Sequence, residues 1–212
     1  IENKDTIYTP LGVDAAWDRQ MMRWLNQTRS RVREGIAAPD GLIDVRGILD
    51  EMRLIKDSSE LDTMRQAATI SAQAHVLAMS ATTPGKYEYE IEAELLYHFK
   101  KNGSQFPAYT SIVAGGGNAC VLHYIENNAV LNDGDLLLID AGCELNGYAS
   151  DITRTFPVNG KFSGPQKAIY ELVLAAQNAA IGATSAGNSW QAPHDAATKV
   201  LAQGFIDLKL CH

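Results

Sequence analysis

The sequence predicts an α+β fold, with short strands layered between pairs of helices. Three observations carry this. Residues 1–55 alternate strand and helix and read as the end of an α/β domain whose beginning is missing. From residue 56 two amphipathic helices precede a β-rich stretch, and two more follow it. At the centre of the β-rich part, Asp135 to Pro157 (DLLLIDAGCELNGYASDITRTFP) reads as strand, tight turn and returning strand.

Composition narrows the class. The chain has 212 residues, 46% of them hydrophobic and 20% charged, which fits a globular protein and not a disordered one. The net charge of −7 opposes the basic face that nucleic acid requires. No apolar run approaches the length of a membrane span. The three cysteines, Cys120, Cys143 and Cys211, are far apart and form no CxxC pair. They read as reduced thiols, so a cytoplasmic protein with neither nucleic acid nor membrane as partner is expected. The chain opens at Ile1 and stops just after an amphipathic helix, so a fragment of a longer protein is expected.

Each element has a local cause. Ile7 to Thr9 is a short strand, and Asp14 can cap a helix that buries Trp17, Met21, Trp24 and Leu25. Pro39-Asp40-Gly41 turns the chain into a strand and short helix over Leu42 to Leu54. Ser58 or Ser59 can cap a long helix with an apolar stripe of Leu61, Met64, Ala68, Ala72, His75 and Met79, ended at Thr83-Pro84-Gly85. His75 reads as a packed histidine. A second helix, Tyr89 to Lys101, carries Ile91, Leu95, Leu96 and Phe99, with Glu88, Glu90, Glu92 and Glu94 toward solvent. Gln105 to Val113 and Val121 to Tyr124 read as strands, and the AGGGN stretch, Ala114 to Asn118, as a flexible turn without phosphate-loop spacing. The last two helices start near Ser163-Gly164-Pro165 and near Ala192-Pro193-His194.

The hairpin carries the chemistry. Asn146-Gly147 suits a type I′ turn, in which both central residues take positive φ. A two-residue loop there sets Leu145 opposite Tyr148, Gly142 opposite Asp151 and Asp140 opposite Thr153. Side chains alternate along a strand, so Asp140, Gly142, Asp151 and Thr153 share one face. Asp140 and Asp151 are then diagonal neighbours about 7–8 Å apart at Cα, and Gly142 leaves space between them. Two carboxylates so placed repel unless a cation or a proton lies between them. Their hard oxygens suit Mn²⁺, Mg²⁺ or Ca²⁺. The plainer alternative is that Asp140 only forms a turn and Asp151 only pairs with Arg154. His123, in the preceding strand, is either a core histidine or a group that orients substrate or moves a proton.

The segments Ser111-Ile112-Val113, Val121 to Tyr124, Asp135 to Gly142 and Gly147 to Pro157 resemble the Xaa-Pro aminopeptidase (aminopeptidase P) branch of the creatinase/methionine-aminopeptidase "pita-bread" superfamily. The resemblance implies that residues 56–212 are the first half of a pita-bread catalytic domain. Residues 1–55 would be the end of the creatinase-type N-terminal domain. It implies a dinuclear site of two divalent metal ions, usually Mn²⁺, and a metal-activated water. Asp140 matches a ligand of one ion, Asp151 the ligand that bridges both, and His123 the histidine beside the scissile peptide. Tyr109, Thr153 and Arg154 match supporting positions nearby. The remaining ligands, a histidine and two glutamates, are expected beyond residue 212, and His212 comes too early to replace them.

The implied activity is release of the N-terminal residue from peptides with proline second, in a full-length protein that is a homo-oligomer. The 212 residues alone are expected to form an inactive half-site, oligomeric or poorly stable because apolar faces stay uncovered. An Xaa-Pro dipeptidase (prolidase) is the nearest alternative. A non-catalytic pita-bread binding module or a metal-independent creatinase fits less well with two retained aspartates.

Overall fold

The computed structural model describes residues 1–211; His212 lies outside the described residues. The chain forms two compact units, divided after Leu61.

In the first unit β1 (Thr6–Thr9) pairs in parallel with β2 (Gly41–Asp44), Thr6 opposite Gly41 and Thr9 opposite Asp44. A parallel pair needs a crossover, and α1 (Ala15–Ser30) lies within it. The Asp14 carboxylate starts α1 by accepting from the Ala16 and Trp17 N–H groups. Of the expected stripe, Met21 and Leu25 are buried and Thr28 extends the row. Trp17 and Trp24 remain partly exposed, edge to face at 5.8 Å, and the Trp17 indole donates to Thr9 Oγ1 at 2.7 Å. Their bulk and polar N–H suit the rim of a core more than its centre. Helix α2 (Arg46–Leu54) follows β2.

The second unit carries most of the fold. Helix α3 (Ser58–Ala81) is capped by Asp57 and not by the serines. Asp57 Oδ1 accepts from the Glu60 N–H at 2.9 Å while Glu60 Oε2 accepts from the Asp57 N–H at 2.7 Å, a reciprocal capping box. The buried row of α3 is Ala67, Ser71, Ala74, His75 and Ala78, whereas Leu61, Met64 and Met79 stay 37–39% exposed. The expected stripe followed hydrophobicity; close approach to the strands selects small side chains instead. Ser71 Oγ lies 2.7 Å from Ser150 Oγ, and Cys143 Sγ lies 3.4 Å from the Ala67 carbonyl. His75 is packed as expected, with Nδ1 2.8 Å from the Ser71 carbonyl.

Helix α4 (Glu88–Lys101) precedes β3 (Phe106–Pro107) and β4 (Ile112–Gly115). The single strand expected over Gln105 to Val113 is broken by a bend at Tyr109. The AGGGN stretch is not a flexible turn. Ala114 and Gly115 complete β4, and Gly116 to Cys120 form a 3-10 turn. Gly115 is a packing residue, because a Cβ there would lie 2.8 Å from Leu131 Cδ2.

The hairpin follows as β5 (Leu136–Ala141), β6 (Cys143–Leu145), β7 (Tyr148–Ala149) and β8 (Ile152–Pro157). Its register is the expected one: Leu145 faces Tyr148, and Asp140 faces Thr153. Asn146 and Gly147 take φ of 50° and 87°. Two antiparallel sheets result, ordered β4-β5-β8 and β3-β6-β7. The chain passes from one to the other at Gly142. The room at Gly142 is not open space between carboxylates, since a Cβ there would fall 1.7 Å from the Ser150 carbonyl oxygen. Val113, Leu137, Ile139 and Ala141 face a core shared with Ile91, Leu95 and Phe99 of α4 and the alanines of α3. Helices α5 (Gly164–Ala183) and α6 (Ala192–Asp207) complete the unit. Ser163 caps α5 in a capping box with Gln166, with Pro165 in the first turn.

Candidate metal centre

Strand β5 alternates strictly. Leu137, Ile139 and Ala141 are fully buried, so Asp140 projects from the opposite face. Thr153 is its cross-strand partner on β8, and Ile112 its partner on β4. Asp151 sits just before β8, where the returning strand meets Gly142.

The two carboxylates converge. The Tyr109 hydroxyl lies 2.6 Å from Asp140 Oδ1 and 3.0 Å from Asp151 Oδ1. A phenol has one proton to donate, so two anionic oxygens share a single donor. Burial, followed by the hydrogen bond to Asp140 and the charges of both aspartates, pushes the Tyr109 hydroxyl far above its ordinary pKa. It remains a donor at neutral pH. The bend after β3 aims it there, anchored by the Ala108 N–H on the Gly142 carbonyl at 2.8 Å.

His123 completes a cleft of about 370 Å³ with Tyr109 and the two aspartates. Thr110, Ile112 and Ile125 add a largely apolar wall. His123 lies in a turn and not in the expected strand, with φ of 56°. Left-handed backbone at a non-glycine residue is uncommon, and histidine is among the side chains that tolerate it. Arg154 donates to the Thr153 carbonyl at 2.7 Å, and no ion pair among the described residues joins it to Asp151. The plainer ion-pair alternative therefore has no geometric support.

The donor set fits a hard divalent cation but only in part. Among the described residues no group of three or more His, Cys, Asp or Glu side chains gathers around one point. Asp140 and Asp151 would hold such an ion through carboxylate oxygens, short of the six or so ligands it prefers.

Two buried polar residues have roles that the sequence pattern did not reveal. Glu88, expected toward solvent, is 0% exposed. Its Oε1 accepts from the Gly115 N–H at 2.7 Å and Asn118 Nδ2 at 3.0 Å. Its Oε2 accepts from the Tyr124 hydroxyl at 2.7 Å and the Ala129 N–H at 2.9 Å. The signal is present: Glu88 lies three residues before Ile91 and seven before Leu95, on the buried stripe of α4. Asn127, also buried, accepts from the Val113 N–H at 2.9 Å and donates to the Ser111 carbonyl at 2.9 Å and Glu92 at 3.0 Å. Nothing in the local pattern marks it.

Comparisons with known proteins agree on one group. The profile of metallopeptidase family M24 matches residues 62–211. A Xaa-Pro aminopeptidase of Haemophilus influenzae is 55% identical over 167 residues, covering 79% of this chain and 39% of the relative. One from Escherichia coli is 40% identical over 204 residues, covering 96% of this chain and 46% of the relative. The chain thus spans less than half the length of these curated relatives. The solved structure of Pseudomonas aeruginosa aminopeptidase PepP superposes with a TM-score of 0.96 at 50% identity, covering all of this chain and 48% of its own. A zinc-substituted Escherichia coli aminopeptidase P in complex with product gives 0.94 at 39% identity over 100% and 48% of the two chains. The mixed helix and strand architecture is therefore that of half an aminopeptidase P chain of the pita-bread type, and the chain belongs to metallopeptidase family M24.

Proposed function

We propose that the protein carrying this chain is a metal-dependent aminopeptidase that releases the N-terminal residue from peptides with proline in the second position. The observation that carries this is the convergence of Asp140 and Asp151 on the Tyr109 hydroxyl, in a cleft that His123 also lines. The names of the relatives favour an aminopeptidase over a dipeptidase.

Asp140 and Asp151 would hold two divalent ions through hard carboxylate oxygens, taken as Mn²⁺ from the resemblance to aminopeptidase P. Such ions lower the pKa of bound water and polarise a carbonyl. Tyr109 keeps its proton and fixes the two carboxylates toward each other. His123, exposed to the cleft, is placed to hydrogen-bond the substrate at the scissile peptide and to take up or release a proton. Thr153 supports Asp140 from the neighbouring strand, and Arg154 braces the β8 backbone at Thr153. The domain assignment belongs to the same reading: residues 1–55 end an N-terminal domain and residues 56–212 form the first half of the catalytic domain. Cytoplasmic residence is supported by three free thiols. A homo-oligomer of the full-length protein belongs to the same proposal and rests on the family resemblance.

The test has two parts. Hydrolysis of an Xaa-Pro-Xaa tripeptide but not an Xaa-Pro dipeptide, lost with a chelator and restored by Mn²⁺, supports the aminopeptidase. The reverse preference supports the dipeptidase, and metal-independent turnover overturns both. On the 212-residue chain, calorimetry with Mn²⁺ should show weak binding. Two tightly bound ions per chain, lost in Asp151→Ala, would show that the site is complete without further ligands.

A further inference from the structure

The cleft histidine sits on a stretch with almost no regular structure. Between the 3-10 turn that ends at Cys120 and the isolated bridge at Val130, the chain forms neither helix nor strand. Yet His123 holds a left-handed conformation in the middle of it. Something outside the segment must fix it.

The buried Glu88 touches the chain at several points around it. Its carboxylate receives the Tyr124 hydroxyl, on the residue next to His123, and the Ala129 N–H at the far end of the segment. The other oxygen receives Gly115 and Asn118, before the segment begins. The Glu88 N–H also donates to the Ala129 carbonyl at 3.0 Å. Asn118 Nδ2 donates to the Tyr124 hydroxyl at 3.0 Å, so that oxygen both accepts and donates. Every group facing the carboxylate is a donor to it. One buried side chain thus ties β4, the 3-10 turn and the histidine segment, at Tyr124 and at Ala129, to the first turn of α4. A carboxylate bound to several donors in a low-dielectric interior rigidifies what it holds.

We infer that Glu88, through Tyr124, is the positioning residue that sets the place of His123 in the cleft. The inference rests on the proposed peptidase reading for its kinetic consequence but not for its structural one. Glu88 reaches no substrate and acts only through the segment it clamps. Glutamine has the same shape, but its amide turns an N–H₂ toward the Ala129 or the Gly115 N–H whichever way it lies. Tyr124→Phe removes the single link nearest His123 and leaves the other three donors in place.

The experiment uses the full-length protein. The His123 ring ¹H–¹³C resonance is identified by its loss in His123→Ala and followed in wild type, Tyr124→Phe and Glu88→Gln. A changed shift or broadened line in both variants, with Mn²⁺ stoichiometry unchanged by calorimetry, is the expected result. An unmoved His123 signal in folded Tyr124→Phe overturns the inference, whether or not the protein hydrolyses peptides. On an Xaa-Pro tripeptide, Tyr124→Phe should lower kcat about 10- to 100-fold, the range that misplacement of a reacting group produces, with KM little changed. In a His123→Ala background it should have no further effect. An equal loss in both backgrounds would mean that Tyr124 acts independently of His123 and would also overturn the inference. Absence of activity in the wild type, with the resonance still moving, would instead overturn the peptidase reading and leave the positioning role standing.

Discussion

Two acidic centres lie in the second unit and are built in opposite ways. Glu88 is fully buried, and its two oxygens receive four donors. Asp140 and Asp151 are more open to solvent, and together they receive one phenolic proton from Tyr109. The first centre is saturated and holds the chain together. The second has more negative charge than its protein partners neutralise, which is what a cation site looks like from the protein side. The number of donors per carboxylate, and not burial alone, separates the two centres.

The contrast can be broken experimentally, and the largest effect belongs to the under-neutralised centre. Asp151→Ala in the full-length protein should weaken Mn²⁺ binding and peptide hydrolysis by more than about 100-fold, beyond the loss typical of an outer partner. Near-normal ion binding by calorimetry would move the metal site elsewhere. Gly142→Ala should cost about 3 kcal/mol, because its methyl group would overlap the Ser150 carbonyl and force the hairpin apart between the two aspartates. Urea unfolding with an unchanged midpoint would show that the strands yield easily there. Glu88→Gln should cost about 2 kcal/mol of stability by opposing a main-chain N–H in the interior, seen as a lower urea midpoint at constant slope. Tyr109→Phe should leave the fold intact and weaken Mn²⁺ binding about tenfold. An unchanged affinity would make the shared hydroxyl incidental.

The smallest effect is at high pH. Burial, the bond to Glu88 and its charge raise the Tyr124 pKa above its ordinary value. The folded protein then holds the phenolic proton where the unfolded chain has released it. This contribution is complete below about pH 10 and is lost as pH rises through the folded-state value. The alkaline limb of stability against pH should be shallower in Tyr124→Phe than in wild type, by denaturant titration at several pH values.

Much of the site was legible because a hairpin is a local structure. Asn146-Gly147 fixes the turn, and the turn fixes a register in which Asp140 and Asp151 face the same way. Helix starts were partly legible: Asp14 caps as expected and α5 begins at Ser163-Gly164-Pro165 as expected, but at α3 Asp57 outcompetes the neighbouring serines because Glu60 returns its bond. The buried faces were harder to read. Hydrophobic ranking selected Leu61, Met64 and Met79 on α3, while the buried row is Ala67, Ser71, Ala74, His75 and Ala78, of which only His75 belonged to the expected stripe. Glu88 stood on the buried stripe of α4 at the right spacing, yet its charge argued for solvent. Charge is a reliable guide only when no donors wait inside, and three of its four donors come from residues 115 to 124, remote in sequence.

The sequence by itself therefore determined the α+β class through the order of its elements, the family through resemblance, and the hairpin register with its pair of carboxylates, which follow from neighbours within a turn or a strand. Only the tertiary structure decided that Tyr109 reaches both carboxylates, that His123 sits in a left-handed turn and that Glu88 is a buried clamp. Those three depend on long-range contacts between segments with no periodic pattern, and they form only when the core brings β4, β5 and α4 together.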